Sequence, residues 1–174
     1  MSARAILVGP PGAGKTTVGR LLAAELGATF LDTDELAASV AGKTVADIFL
    51  EDGEDRFREL ERAAVRSVLG EQESPGIADG AVVALGGGAI LNPDTREELA
   101  GKPVVALTVD LTDAVKRVGL ARDRPLLVEA PRARMSATLR ERAPLYAQVA
   151  ALRVDTSGRS PDDIVKEVLA WLTP

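Results

Sequence analysis

The stretch Gly9-Pro-Pro-Gly-Ala-Gly14-Lys15-Thr16 decides the fold, because it fits the phosphate-loop pattern G-x-x-x-x-G-K-[ST] at every fixed position. An apolar segment at residues 5–8 precedes it and suits a buried strand. Strand, glycine turn and helix in this order are the context that the motif requires, and together they predict nucleotide binding. The helix is indicated by apolar residues at helical spacing, Val18, Leu21, Leu22 and Leu26.

The residue types of this loop suit a polyphosphate. Glycines allow the backbone to curl with its N–H groups pointing inward, and the positive end of the following helix adds to the attraction. Lys15 brings a point charge for the outer phosphates, and the Thr16 hydroxyl can ligate Mg²⁺. The alternative is a tight strand-to-helix turn that contains Gly and Lys by chance, which does not account for the complete pattern with both flanks.

Composition narrows the functional class. The chain has 174 residues, which suggests one domain, with 46% apolar and 27% charged residues. A net charge of −5 argues against nucleic-acid binding, and no apolar run or signal pattern indicates a membrane span or export, so we expect a cytoplasmic protein. The sequence contains no Cys and no His, which excludes disulfides, thiol catalysis and a histidine base.

Strand and helix patterns alternate along the whole chain, which predicts a parallel sheet covered by helices on both faces. Thr112 is the predicted N-cap of its helix, and Pro144 is expected to bend the helix that contains it. Strands are predicted at 5–8, 29–33, 82–85, 104–109 and 152–155, and helices at about 34–41, 44–50, 54–70, from 93, 112–118, 132–148 and 161–172.

Two aspartates lie at the end of the second predicted strand, where ligands of parallel sheets bind. Asp32 and Asp34 are two residues apart in an extended segment, so their side chains should point to one side. Two carboxylates that face the phosphate loop suit Mg²⁺ binding and activation of a hydroxyl group. The alternative for Asp34 is a helix N-cap, a common use of this residue type.

Three successive glycines, Gly86, Gly87 and Gly88, follow the third predicted strand. Glycine is costly to order, so three in a row indicate either the close approach of a ligand or a very tight turn. A turn alone needs only one or two of them.

A long predicted loop at residues 119–131 contains two prolines and no periodicity. Loops of this length are usually functional or disordered. It carries Arg122 and Arg124, and the surrounding residues 116–142 are basic although the whole chain is acidic. One interpretation is a second group of anion ligands, with an arginine that swings over a transferring phosphoryl group; the other is a solvent-exposed helix face and loop.

Taken together, these residues resemble the shikimate kinases, small enzymes of the nucleoside-monophosphate-kinase-like branch of phosphate-loop proteins. The matching segments follow the family's order and cover nearly the whole chain. The sequences LDTD, GGGA, RPLL and RAPLY in that order are highly specific. The segments are residues 9–17, 31–34, 46–49, 52–54, 57–58, 85–89, 124–127 and 142–146.

The resemblance implies an α/β, three-layer fold with a five-stranded parallel sheet in the order 2-3-1-4-5. It implies one domain over residues 1–174, with a substrate-binding region at about 33–60 and a mobile lid at about 119–131. The implied reaction is phosphorylation of the 3-hydroxyl of shikimate by ATP with Mg²⁺, a step of aromatic amino-acid biosynthesis. We therefore expect small-molecule partners alone and a monomer.

The resemblance also implies roles for individual residues. Lys15, Asp34 and Arg124 are the implied catalytic residues, and Asp34 either accepts the hydroxyl proton or mainly positions the hydroxyl. Arg58 and Arg142 are implied to hold the substrate carboxylate, which suits guanidinium geometry. The implied ATP-binding residues are Gly12, Ala13, Gly14, Lys15, Thr16, Thr17, Arg117, Arg124, Arg159 and Pro161; the implied substrate-binding residues are Asp34, Arg58, Gly86, Gly87, Gly88 and Arg142; the implied metal ligands are Thr16 and Asp32.

Two features depart from the family pattern. The acidic stretch Glu71–Gly80 is longer than the usual connection, and Thr16 stands where many members have Ser, although either hydroxyl can ligate the metal. Two alternatives remain. Another small-metabolite kinase, such as a gluconate kinase, should lack the pair of Arg58 and Arg142 and the triple glycine. A non-enzymatic or GTP-switch protein would need a guanine-reading N-K-x-D motif, which is absent.

Overall fold

The computed structural model describes residues 3–69, 80–120 and 131–173, and in them five strands form one parallel sheet. The order β2-β3-β1-β4-β5 confirms the predicted topology. The central strand β1 pairs on both sides, with Leu7 opposite Ala84 and Val105. The strands are β1 (Ala5–Val8), β2 (Phe30–Asp32), β3 (Val82–Ala84), β4 (Val104–Thr108) and β5 (Leu152–Asp155).

Eight helices lie in the described part of the chain and confirm the predicted alternation. A π-helical turn over Ile48–Asp52 continues α3, and a 3-10 turn over Ala89–Leu91 follows the triple glycine; neither was predicted as such. The helices are α1 (Lys15–Leu26), α2 (Thr33–Ala41), α3 (Val45–Asp47), α4 (Glu54–Leu69), α5 (Pro93–Leu99), α6 (Leu111–Leu120), α7 (Pro131–Val149) and α8 (Pro161–Leu172).

Different helices cover the two faces of the sheet. Ala5 and Leu7 of β1 pack with buried residues of α1 and α8, whereas Ile6 and Val8 pack with buried residues of α4, α5 and α7. Successive side chains of a strand point to opposite faces, so this alternation places the sheet between two helical layers. The structure therefore has the predicted three layers.

A smaller cluster of buried residues joins α2 to α4. Ala37 of α2 and Ile48 of the π-helical turn contact Phe57, Leu60 and Ala64 of α4. This packing buries one face of α4 and fixes the two helices that carry Asp34 and Arg58 relative to each other.

The predicted cap Thr112 is wrong, and so is the alternative interpretation of Asp34 as a helix cap. The carboxylate of Asp32, not Asp34, caps α2, because its Oδ1 accepts a hydrogen bond of 2.9 Å from the Asp34 backbone N–H. Asp34 is thus already helical, and the extended geometry expected for both aspartates stops at Asp32. Asp110, not Thr112, accepts from the N–H of Asp113 at 2.8 Å at the start of α6.

Helical residues occupy both ends of the predicted loop at residues 119–131. Residues 119 and 120 belong to α6, and Pro131 begins α7, which continues through Pro144. Residues 121–130, with Arg122 and Arg124, lie outside the described residues, as does most of Glu71–Gly80. Among the described helices, we find none with the length and apolar character needed to cross a membrane.

Candidate active site

The phosphate loop joins β1 to α1 and is shaped by its own backbone. Gly12 and Gly14 have φ of 81° and 93°, in the left-handed region that favours glycine. Gly14 occupies the N-cap position of α1 and has no side chain to cover the N–H groups of the first turn. Those N–H groups and the positive end of the helix therefore remain available for an anion.

Lys15 lies folded over this loop. Its Nζ donates to the carbonyl oxygens of Gly9 and Pro10 at 2.8 and 3.1 Å, which places the ammonium group within the loop. Ala13, which the resemblance also implies as an ATP-binding residue, is fully buried. Its N–H donates to the Pro10 carbonyl within the loop at 3.2 Å.

Thr16 and Asp32 form an oxygen-rich pair suited to Mg²⁺. The Thr16 hydroxyl donates to Asp32 Oδ2 at 2.9 Å, while Oδ1 of the same carboxylate caps α2. Mg²⁺ is usually held by one or two carboxylates together with water and substrate phosphates. The pair fits that mode, and the described residues contain no cluster of three or more His, Cys, Asp or Glu that would hold a metal by protein groups alone.

A cavity of about 280 Å³ lies over the phosphate loop. It brings the predicted metal pair and Lys15 together with Asp34 and Arg117, which are far apart in sequence. Its lining consists of Pro11, Gly12, Gly14, Lys15, Thr16, Thr17, Asp32, Asp34, Leu85, Arg117 and Val118.

Arg117 and Arg159, both implied by the resemblance to bind ATP, have different surroundings. Arg117 bridges the loop to the end of β5, since it donates to the Gly12 carbonyl at 3.2 Å and to the Thr156 carbonyl at 2.8 Å. Arg159 and Pro161 lie at the start of α8, where Arg159 pairs with Glu167 at 2.7 Å. Arg117 therefore lines the cavity, whereas the other two lie beyond its lining.

Opposite the phosphate loop, charged side chains from three helices meet. Arg58 of α4 donates from Nη1 to Glu61 Oε2 at 2.7 Å, and from Nη2 to Glu54 at 3.3 Å. Burial raises the pKa of the Glu61 carboxyl; Arg58 opposes that shift, and the charges of Asp34 and Arg142 act on the same carboxyl in opposite directions. Asp34 of α2 and Glu61 of α4 both lie against Gly86, and Arg58 lies against Gly88. Arg142 of α7 acts electrostatically on Glu61.

Glu61 is the site residue that the sequence interpretation missed. Only 3% of it is exposed, and it shares the buried face of α4 with Phe57 and Leu60. A buried carboxylate requires a partner, and Arg58 supplies one. A glutamate within an apolar helix stripe, three residues after an arginine, was the signal that could have identified it.

The triple glycine is required for space and not for an unusual backbone. A Cβ at Gly86 would meet the Asp34 carboxylate, and one at Gly88 would meet the Arg58 guanidinium. A Cβ at Gly87 would stand 3.2 Å from Pro11 Cδ of the phosphate loop. The groups that closely approach these glycines are thus the protein's own site residues. The turn lies between the phosphate loop and the cluster of Arg58 and Glu61.

The amino-acid sequence matches a known protein family along nearly its whole length. The family model for shikimate kinase matches residues 11–173. The chain belongs to the shikimate kinase family. A shikimate kinase of Thermobifida fusca (strain YX) is 55% identical over 98% of this chain and 98% of the relative. One of Frankia casuarinae is 53% identical over 97% of this chain and 72% of the relative.

Solved structures of shikimate kinases have the same fold as this chain. The shikimate kinase from Acinetobacter baumannii in complex with shikimate superposes with a TM-score of 0.87 at 36% identity, covering 97% of this chain and 91% of that one. A gluconokinase from Sinorhizobium meliloti, at 18% identity and a TM-score of 0.59, shares the fold alone. The predicted kinase class, the use of ATP with Mg²⁺ and the phosphorylation of shikimate are confirmed, and the gluconate kinase alternative is not favoured.

Proposed function

We propose that this chain transfers the γ-phosphoryl group of ATP to the 3-hydroxyl of shikimate across the glycine turn at residues 86–88. The observation that carries the proposal is the position of Asp34. Its carboxylate lines the cavity above the phosphate loop and also lies against Gly86, beside the cluster of Arg58 and Glu61. It therefore stands where a hydroxyl group and a terminal phosphate would meet.

The acceptor is held by its carboxylate and its hydroxyl groups. We assign the carboxylate to the guanidinium groups of Arg58 and Arg142, whose planar forks match two carboxylate oxygens. Glu61 holds Arg58 from one side at 2.7 Å, which limits the directions in which its remaining N–H groups can point. The hydroxyl groups are assigned to Asp34.

The chemical step follows from these positions. The 3-hydroxyl oxygen attacks the γ-phosphorus, the bond from that phosphorus to the bridging oxygen breaks, and its electron pair leaves with ADP. Asp34 accepts or orients the proton of the attacking hydroxyl. Because the transition state is loose, catalysis depends mainly on positioning and on charge from Lys15, with Arg124 as a predicted further source.

Thr16 and Asp32 would hold Mg²⁺, which when bound would supply positive charge to offset the charge of the phosphate oxygens. Three properties stay predictions from the sequence: that the protein is a monomer, that it is cytoplasmic, and that it binds neither nucleic acid nor membrane.

The test is a coupled assay of ADP release with shikimate, with gluconate and without acceptor. We expect rapid release with shikimate and little with the other two, and ³¹P–¹H correlation in the product should place the phosphate on the 3-oxygen. Equal turnover of gluconate would contradict the proposed acceptor, and a phosphate on another oxygen would contradict the proposed orientation.

A further inference from the structure

Two buried hydroxyl groups from distant parts of the chain anchor the turn Gly86–Gly88. The Thr33 hydroxyl oxygen accepts a hydrogen bond of 2.9 Å from the Gly86 N–H. The Tyr146 hydroxyl donates to the Gly87 carbonyl at 2.6 Å. Thr33 is fully buried and Tyr146 is 5% exposed, so neither bond is readily exchanged for one to solvent.

The turn is the surface against which the acceptor-side residues rest. Gly86 lies against Asp34 and Glu61, and Gly88 lies against Arg58, with no room for a side chain at either position. A displacement of the turn by a few tenths of an ångström would therefore move the surface against which these charged side chains pack.

We propose that Thr33 and Tyr146 are positioning residues for the acceptor, which hold the glycine turn in place from β2–α2 on one side and from α7 on the other. The inference rests on the proposed function, since it concerns affinity for the proposed acceptor. Each hydroxyl also lies close in sequence to an assigned acceptor ligand: Thr33 precedes Asp34, and Tyr146 follows Arg142 by one helical turn.

The Tyr146 hydroxyl remains a donor over the working range of pH. Burial raises its pKa to about 12, an effect that Arg142 opposes. The hydrogen bond to the Gly87 carbonyl is thus a constant feature of the site and not a switch.

Tyr146→Phe and Thr33→Val keep the approximate shape of each side chain and remove its hydrogen bond to the glycine turn; Tyr146→Phe also removes the contact of the hydroxyl with Arg142. We expect each to raise the KM for shikimate about 3–10-fold, the change that loss of one neutral hydrogen bond produces. The KM for ATP should stay within about twofold, and kcat should change less than the KM for shikimate. Thr33→Ser retains the hydroxyl group and should restore a nearly normal KM.

A core variant separates positioning from a general loss of stability. Val104 lies in the same buried cluster as Tyr146, at the first position of β4 and so at the end of the sheet opposite the site. Val104→Ala should lower the melting temperature and leave both KM values unchanged.

If Tyr146→Phe and Thr33→Val behave like Val104→Ala, the hydroxyls serve the core only and the inference is wrong. An equal rise in the KM for ATP would also refute it. A parent protein that does not phosphorylate shikimate would refute the proposed function instead, so the two failures are distinguishable.

Discussion

The two halves of the active site are constructed in opposite ways. The nucleotide side is built mainly on one continuous stretch, residues 9–16, which relies on backbone geometry and the start of α1, and it is completed by Asp32 and Arg117. The acceptor side comes from four separate segments, α2, α4, the turn at residues 86–88 and α7, and it relies on charged side chains that constrain one another.

This difference has a consequence for substitutions. A backbone loop binds phosphate whatever most neighbouring side chains are, so single changes outside its glycines, Lys15 and Thr16 should affect it little. The acceptor side loses its geometry when one charged partner is removed, because the remaining buried charge is left uncompensated. Changes there should weaken shikimate binding while ATP binding is retained.

The largest effect is expected for Asp34→Asn, at the border between the two halves. The substitution keeps the size of the side chain but removes a proton acceptor, so kcat should fall by about 10²–10⁴ with shikimate binding largely retained. Steady-state kinetics and equilibrium binding measure the two quantities, with Asp94→Asn on the exposed first turn of α5 as the control.

A fall in kcat and in shikimate affinity by the same factor would make Asp34 mainly a hydroxyl-binding residue. A nearly normal kcat would remove it from the catalytic residues.

The next effect concerns Lys15→Met on the nucleotide side. Loss of one preorganised positive donor should lower kcat by about 10²–10³ while shikimate affinity remains normal. Lys166→Met, at a side chain that is 77% exposed, is the matched control. If shikimate affinity falls together with kcat, the two halves are not independent and the comparison above fails.

A smaller effect is expected for Arg142→Lys on the acceptor side. The charge remains but the planar two-point fork is lost, so shikimate binding should weaken by about 1.5–3 kcal/mol with ATP affinity nearly intact. Calorimetric titration with each ligand gives both values, and Arg132→Lys on the exposed start of α7 controls for the substitution type. A parallel loss of ATP affinity would assign Arg142 to the nucleotide.

The smallest effect concerns the pair of Arg62 and Glu98, which joins α4 to α5 through two contacts of 2.7 Å. The hydrogen bond from Arg62 lowers the pKa of Glu98 from its ordinary 4.5, so the pair's stabilisation is present above pH 4.5 and is lost as the pH falls through the lowered pKa. Glu98→Gln should therefore lower the free energy of unfolding by about 0.5–1 kcal/mol at pH 7.

Urea unfolding at pH 7 and about pH 3 tests this, with the exposed neighbour Glu97→Gln as control. The difference from the parent should shrink at the lower pH, and neither KM should change. An undiminished difference at acid pH would show that the pair acts through packing and not through charge.

Several site predictions followed from local patterns. The phosphate loop, the alternation of strands and helices and the helix α4 could be predicted, because contiguous motifs and periodic apolar residues specify them; the strand order came from the resemblance to the family. The caps of α2 and α6 could not be placed, since Asp32 and Asp34, or Asp110 and Thr112, are equally suitable residue types a few positions apart. Arg124 lies outside the described residues, and its role stays a prediction.

The sequence by itself determined the family, the nucleotide side and the alternation of strands and helices, all of which depend on residues close together in the chain. Only the tertiary structure decided how the acceptor side is assembled. The apolar stripe around Glu61 hints at burial, but only the packing of α2, α4 and α7 around the glycine turn shows that Glu61 is buried beside Arg58. The physical reason is that the energy of a buried charge depends on the charges around it. For Glu61 these are residues 34, 58 and 142, which come together only after the helices have packed.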